Sequence, residues 1–266
     1  MSESKTKGPW PSAPLLYATG RIDFSPMENI ERTVVNNIQE QLRKLDFRKM
    51  SQQKYQKVRV LPDDIMTEHG TRWVFSNREE TKSVLLTKES LSFCVADYDC
   101  FEQYVDEMLN VLNIADKELP FAETVIQQVS LKYVDLLKEL DNVSALAMIR
   151  PTFFSSSWVP NAQLQRRQYI TEWQREAAFA RIILFALKPT MALPPQLVPA
   201  GIKIQDEKRT RDSYIVDTEY YEPELNADYS STFIEQKMTQ FHEWSREFFE
   251  AIVTPQALAL WKGGEK

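Results

Sequence analysis

The chain has 266 residues, 43% hydrophobic, 26% charged and 11% aromatic, with a formal net charge of −6. That balance gives a folded chain with one large core or two modest ones, and excludes disordered, collagen-like and low-complexity classes. No run of about 18 apolar residues occurs, so no membrane-spanning helix is expected.

Residues 1–12 read as a flexible tail, with Pro9 and Pro11 and no periodic pattern. The segment has no apolar signal core, which implies a protein kept in the cytoplasm, and two cysteines suit that reducing compartment. Residues 15–24 predict a first strand with Tyr17, Ile22 and Phe24 buried. Ser25-Pro26-Met27-Glu28 has the pattern of a capping box. The helix behind it would put Ile30, Val34, Ile38, Leu42 and Leu45 inward.

Short strands are then expected at 55–61, 72–75, 83–87 and 91–95, with turns at Glu68-His69-Gly70 and Ser76-Asn77. Leu91, Phe93 and Val95 alternate with Ser92, Cys94 and Ala96, as in a half-buried strand. A second helix should start at Asp99, with Glu102 three residues on and Phe101, Tyr104, Val105, Met108, Leu109 and Leu112 as its apolar stripe. Residues 125–134 alternate as a strand with one better-buried face. In the second half, strands are expected at 145–150, 165–173, 178–187 and 213–221. Between them, 188–201 carries Pro189, Pro194, Pro195 and Pro199 and reads as an irregular loop. Thr232 opens a long helix, and Thr254-Pro255 a short one. The expected fold class is α+β: a tail (1–12), an N-terminal α+β half (13–140) and a C-terminal α+β half (141–266). Each half would hold a mainly antiparallel sheet packed with amphipathic helices.

The chemistry-bearing residues are sparse. Cys94 and Cys100 have five residues between them, which fits neither a zinc knuckle nor a redox pair. There is no nucleophile elbow or phosphate loop, and a triad would need His69 or His242. No metal or cofactor is expected. One pattern points to an enzyme. Pro62-Asp63-Asp64 followed by Glu80-Thr81-Lys82 matches the layout of metal-dependent nucleases, with Asp64 and Glu80 on Mg²⁺ and Lys82 aiding the attacking water. A second Glu-x-Lys at Glu235-Gln236-Lys237 shows how common the fragment is.

Charge is unevenly spread. Between 43 and 59 there are seven bases and one acid. Two stretches hold five acids and no base. One includes Asp97, Asp99, Glu102 and Asp106; the other is Asp217, Glu219, Glu222, Glu224 and Asp228. With a pI near 5.2, nucleic acid is not the expected main ligand, and an acidic face interleaved with Tyr98, Tyr104, Tyr214, Tyr220, Tyr221 and Tyr229 suits a basic protein partner.

Several segments carry a resemblance. They are Arg21-Ile22-Asp23-Phe24-Ser25-Pro26, the passage from Leu91-Ser92-Phe93 through Tyr98 to Phe101 and Tyr104, and Val129-Ser130-Leu131-Lys132-Tyr133-Val134. The tail adds Ile215-Val216-Asp217-Thr218-Glu219, the stretch from His242 to Phe248-Phe249, Ile252-Val253-Thr254 and Leu260-Trp261. Together they resemble a sporadically distributed bacterial family, some of whose members are encoded beside toxins of the type VI secretion system. The likeness covers most of the chain and is weakest between Arg150 and Arg211. It implies an immunity protein that neutralises a nuclease-type effector in the cytoplasm by forming a stoichiometric complex. It carries no interface motif, so the nine acids named above are the candidate contact residues on charge alone. The alternatives are the metal nuclease and a non-enzymatic adaptor of a secretion or defence system.

Overall fold

The computed structural model describes residues 13–27, 30–60, 65–153, 168–204 and 209–262. Its architecture is α+β. The strands are β1 (Leu15–Phe24), β2 (Lys49–Val60), β3 (Ile65–Ser76), β4 (Lys82–Leu86), β5 (Ser90–Val95), β6 (Val125–Leu137), β7 (Gln168–Arg175), β8 (Ala178–Leu187), β9 (Ser213–Glu222) and β10 (Ala227–Asp228). They form one antiparallel sheet in the order β2-β3-β4-β5-β1-β6-β9-β8-β7, with β10 beside β6. The helices are α1 (Arg32–Lys44), α2 (Phe101–Asp116), α3 (Ser231–Ile252) and α4 (Pro255–Trp261).

The strands from the two halves meet along the β6–β9 ladder, which runs through nine residue pairs from Val129↔Glu222 to Leu137↔Tyr214. One face of the sheet is covered by α1, α2 and α3. Val35, Ile38 and Leu42 of α1, Met108 and Leu112 of α2, and Ile234, Met238 and Phe241 of α3 share a core with Ile22, Phe24, Val129 and Leu131. Further along the same face, Phe249 and Ile252 of α3 pack with Trp261 of α4, Leu184 and Val216. The opposite face is covered in part by the proline-rich segment, whose Leu193 and Leu197 pack on Tyr17, Val134, Leu136 and Ile215. β5 is buried along its whole length and not on one face alone.

Several expectations are corrected. α1 starts at Arg32 behind Glu31, with no side-chain cap. Ser25 Oγ instead accepts the Val125 amide at 3.1 Å, so the presumed cap ties β1 to β6; Glu28 lies outside the described residues. The inward face of α1 uses Val35, and Leu45 is 43% exposed. Glu68, His69 and Gly70 lie inside β3, not in a turn. Gly70 is opposite Tyr55, and a Cβ there would come within 2.4 Å of the tyrosine ring; the ring covers the bare backbone as a side chain otherwise would. Cys100, not Asp99, precedes α2. The strand expected at 145–150 is a 3₁₀ turn, Ala145–Met148, capped by Ser144 Oγ on the Ala147 amide, after which Ile149 bridges to Val253.

Candidate partner-binding surface

The acids of β9 do not form one face. Side chains alternate along a strand, and antiparallel neighbours place their own residues opposite each one. Asp217 is only 4% exposed, and its carboxylate accepts from Lys132 Nζ at 2.8 Å. Burial raises its pKa, with the Lys132 charge opposing that shift. The expectation that Asp217 is a surface contact is therefore corrected: Val134 and Ile183 flank it in the sheet. Glu219 faces the same side, between Lys132 and Arg181 in register. Glu222 points to the helix side, where Lys237 Nζ of α3 lies 2.7 Å away. Glu224, at φ 55°, and Asp228 are exposed beyond the end of β9.

The other four acids stay together. Asp97 and Asp99 lie between β5 and α2, and Glu102 and Asp106 follow one turn apart on α2. Asp97, Glu102 and Asp106 are exposed, and none of the four forms an ion pair among the described residues. Glu107, next along, is held by Lys82 Nζ at 2.7 Å. Negative charge at the start of a helix is favoured by the peptide dipoles. Asp228, the exposed end of the second group, is far from the first. Ser231, at the start of α3 just beyond Asp228, donates to Asn113 near the other end of α2. Twelve residues of helix separate Phe101 from Asn113, about 18 Å.

The tyrosines follow the same logic. Tyr104, Tyr214 and Tyr220 are buried, so they build the core and not an interface. Tyr104 Oη donates to the Phe93 carbonyl at 3.1 Å. Tyr221 stays half-exposed on the open sheet face, stacked on Phe179 at 5.4 Å and donating to Glu172.

The candidate nuclease residues are drawn to other partners. Glu80 sits between Lys203 at 2.5 Å and Lys49 at 2.8 Å, and these lysines hold its carboxyl down to about 2. Lys82 is paired with Glu107. Asp64 lies outside the described residues; the strand that follows it, β3, places Ile65 and Ser76 about 36 Å apart. No group of three or more His, Cys, Asp or Glu side chains among the described residues is placed to hold a metal ion. Cys94 is buried, with Thr19 Oγ1 3.3 Å from its sulfur, and burial pushes its thiol up to about 11. His242 lies flat on Phe101, ring centroids 4.0 Å apart, with Nδ1 3.0 Å from Tyr133 Oη. Burial lowers its pKa to about 4, so it is a neutral link between α2, α3 and β6.

Three surface features had no signal in the sequence. The first is an arm: β3 pairs with β4 only from Trp73 to Ser76, so residues 53–60 and 65–72 extend as a two-stranded ribbon. The second is a cleft of about 790 Å³ where that ribbon meets the start of α1. The third is β7, which pairs with β8 alone among the described residues and carries Ile170 at 62% and Trp173 at 56% exposure. All three depend on which strands end early or lie at an edge, which local periodicity does not encode. No helix among the described residues is long and apolar enough to cross a membrane. No family model matches the chain, and no curated protein matches its sequence.

Proposed function

We propose that this protein is a toxin-neutralising immunity protein that binds a nuclease-type effector of a type VI secretion system in the cytoplasm. The observation that carries the reading is the acidic group Asp97, Asp99, Glu102 and Asp106, which is mostly exposed and free of ion pairs among the described residues. A nuclease needs a basic surface to hold phosphates, and an unpaired acidic group complements it. The resemblance to immunity proteins supports the same class. The structure changes which acids the proposal uses: the α2 group replaces the β9 group, because Asp217 and Glu222 already have lysine partners.

The test is co-expression with the product of the neighbouring gene, affinity capture of the tagged chain, and a growth assay for toxicity. A stoichiometric complex that suppresses toxicity is expected. The triple variant Asp97→Lys, Glu102→Lys, Asp106→Lys should weaken that complex by about tenfold or more at low salt, mainly through slower association. Unchanged affinity in the folded variant would remove the α2 surface from the model of binding. A complex that leaves toxicity intact would make the protein an adaptor instead.

A further inference from the structure

We propose that the cleft between the β2–β3 arm and the start of α1 is a nucleotide-binding site. Its construction follows from register. Directly opposed residues of an antiparallel pair share a face, as do alternate residues along a strand. Trp73, Thr71 and His69 of β3 therefore share one face, and Lys54 joins it from β2 opposite Thr71. This is the face on which Trp73 packs against the helix-side core. Lys88, in the β4–β5 turn, closes the cleft from the other side. Its carbonyl accepts the Met27 amide at 2.8 Å, and the Glu89 carbonyl accepts the Phe24 amide at 3.0 Å. Those bonds fix the turn to the end of β1 and to Met27, and Glu31 before α1 lines the rim.

The composition of the cleft is specific. Lys54, Lys88 and His69 are exposed, and neither lysine has an ion-pair partner among the described residues. In a chain of net charge −6, two unpaired lysines and a histidine facing one space mark a site for an anion. Trp73 supplies an aromatic surface for stacking a flat ring. Trp73 and His69 are four residues apart on one strand, a span of about 14 Å, which suits a base at one end and a short phosphate chain at the other. A volume of about 790 Å³ is large enough to take a nucleotide. Glu31 offers an acceptor for an exocyclic amine of the base. The site lies apart from the acidic start of α2 and stands independently of the immunity reading.

Isothermal titration of the full-length protein tests it, with ADP, GDP, CDP and UDP as probes and adenosine and pyrophosphate as the separated halves. At least one nucleoside diphosphate should bind with a submillimolar Kd, and each separated half at least about tenfold more weakly. The double variant Lys54→Ala, Lys88→Ala should lose about tenfold or more in affinity. Both lysines are exposed, so an unchanged circular dichroism spectrum is expected and serves as the folding control. No binding of any diphosphate at about 1 mM would overturn the proposal. So would unchanged affinity in the double variant, or pyrophosphate binding as tightly as the nucleotide.

Discussion

Asp135 and His242 are both buried titratable groups, and they act in opposite directions on stability. Asp135 lies in β6 between Leu15 and Val216 in register, and burial, then the nearby Asp217, raises its carboxyl to about 8. The folded state binds that proton more tightly than the unfolded chain does. Its contribution is fully present below about pH 4 and is lost as pH rises through about 8. Asp135→Asn keeps the shape and removes the charge. Urea midpoints should agree with the parent only at about pH 4 or below, and the variant should gain on the parent as pH rises from about 4 to about 8, being more stable by at least ~1 kcal/mol at about pH 9. Parallel profiles from pH 5 to 9 would show that the carboxyl is not desolvated. For His242 the sign reverses. Its pKa is lowered from 6.5 to about 4, so the unfolded chain takes up the proton first, and stability is lost as pH falls from about 6.5 towards 4. His242→Gln should flatten that acid limb by roughly 2 kcal/mol, at some cost in neutral-pH stability from the lost stack on Phe101. Neither role was legible in the sequence. His242 stands beside Glu243 in the chain, and its burial comes from Phe101 and Tyr133, 141 and 109 positions earlier.

At the scale of elements, the sequence was legible where one periodic face meets one core. β1 and β8 have the bounds that alternation predicts, and the inward Ile234, Met238, Phe241 and Trp244 of α3 match its spacing of three and four. It was opaque where a neighbour decides the outcome. The β2–β3 arm is longer than its apolar residues suggest, because a projecting ribbon needs no buried face to complete its ladder. Residues 145–150 carry strand-like apolar side chains, yet Ala145 and Met148 are buried by packing on β9 and α4, without a ladder of their own. The docking of α2 on β1 shows how close such a neighbour comes. A Cβ on Gly20 would lie 2.5 Å from Met108 Sδ and 2.7 Å from Tyr104 Oη. Gly20→Ala must displace the buried ends of Met108 and Tyr104 and disturb the Tyr104–Phe93 hydrogen bond, for a loss of about 2 kcal/mol. Gly70→Ala meets only the half-exposed ring of Tyr55, which can swing away, and should cost about 1 kcal/mol or less. Denaturant midpoints that placed Gly70→Ala below Gly20→Ala would refute this account of the α2 contact.

At the scale of the molecule, the question is whether the two halves unfold together. Each half supplies strands and helices, and composition alone is compatible with two cores. The structure joins them in two ways. The β6–β9 ladder runs without interruption through nine residue pairs. α3 then spans both helix-side cores: Ile234, Met238, Phe241 and Trp244 belong to the first, Phe249 and Ile252 to the second. Opening either half would expose the apolar side of α3 and one edge of a central strand, and the burial lost would not be recovered elsewhere. A single cooperative transition is therefore expected. Native-state hydrogen exchange in increasing urea measures it directly, by comparing amides of β5 with amides of β8. The two sets should converge on one opening free energy and one urea dependence. If β8 opened at distinctly lower free energy and with a smaller urea slope, the second half would be a separate folding unit, and the shared ladder would be a docked interface between two domains.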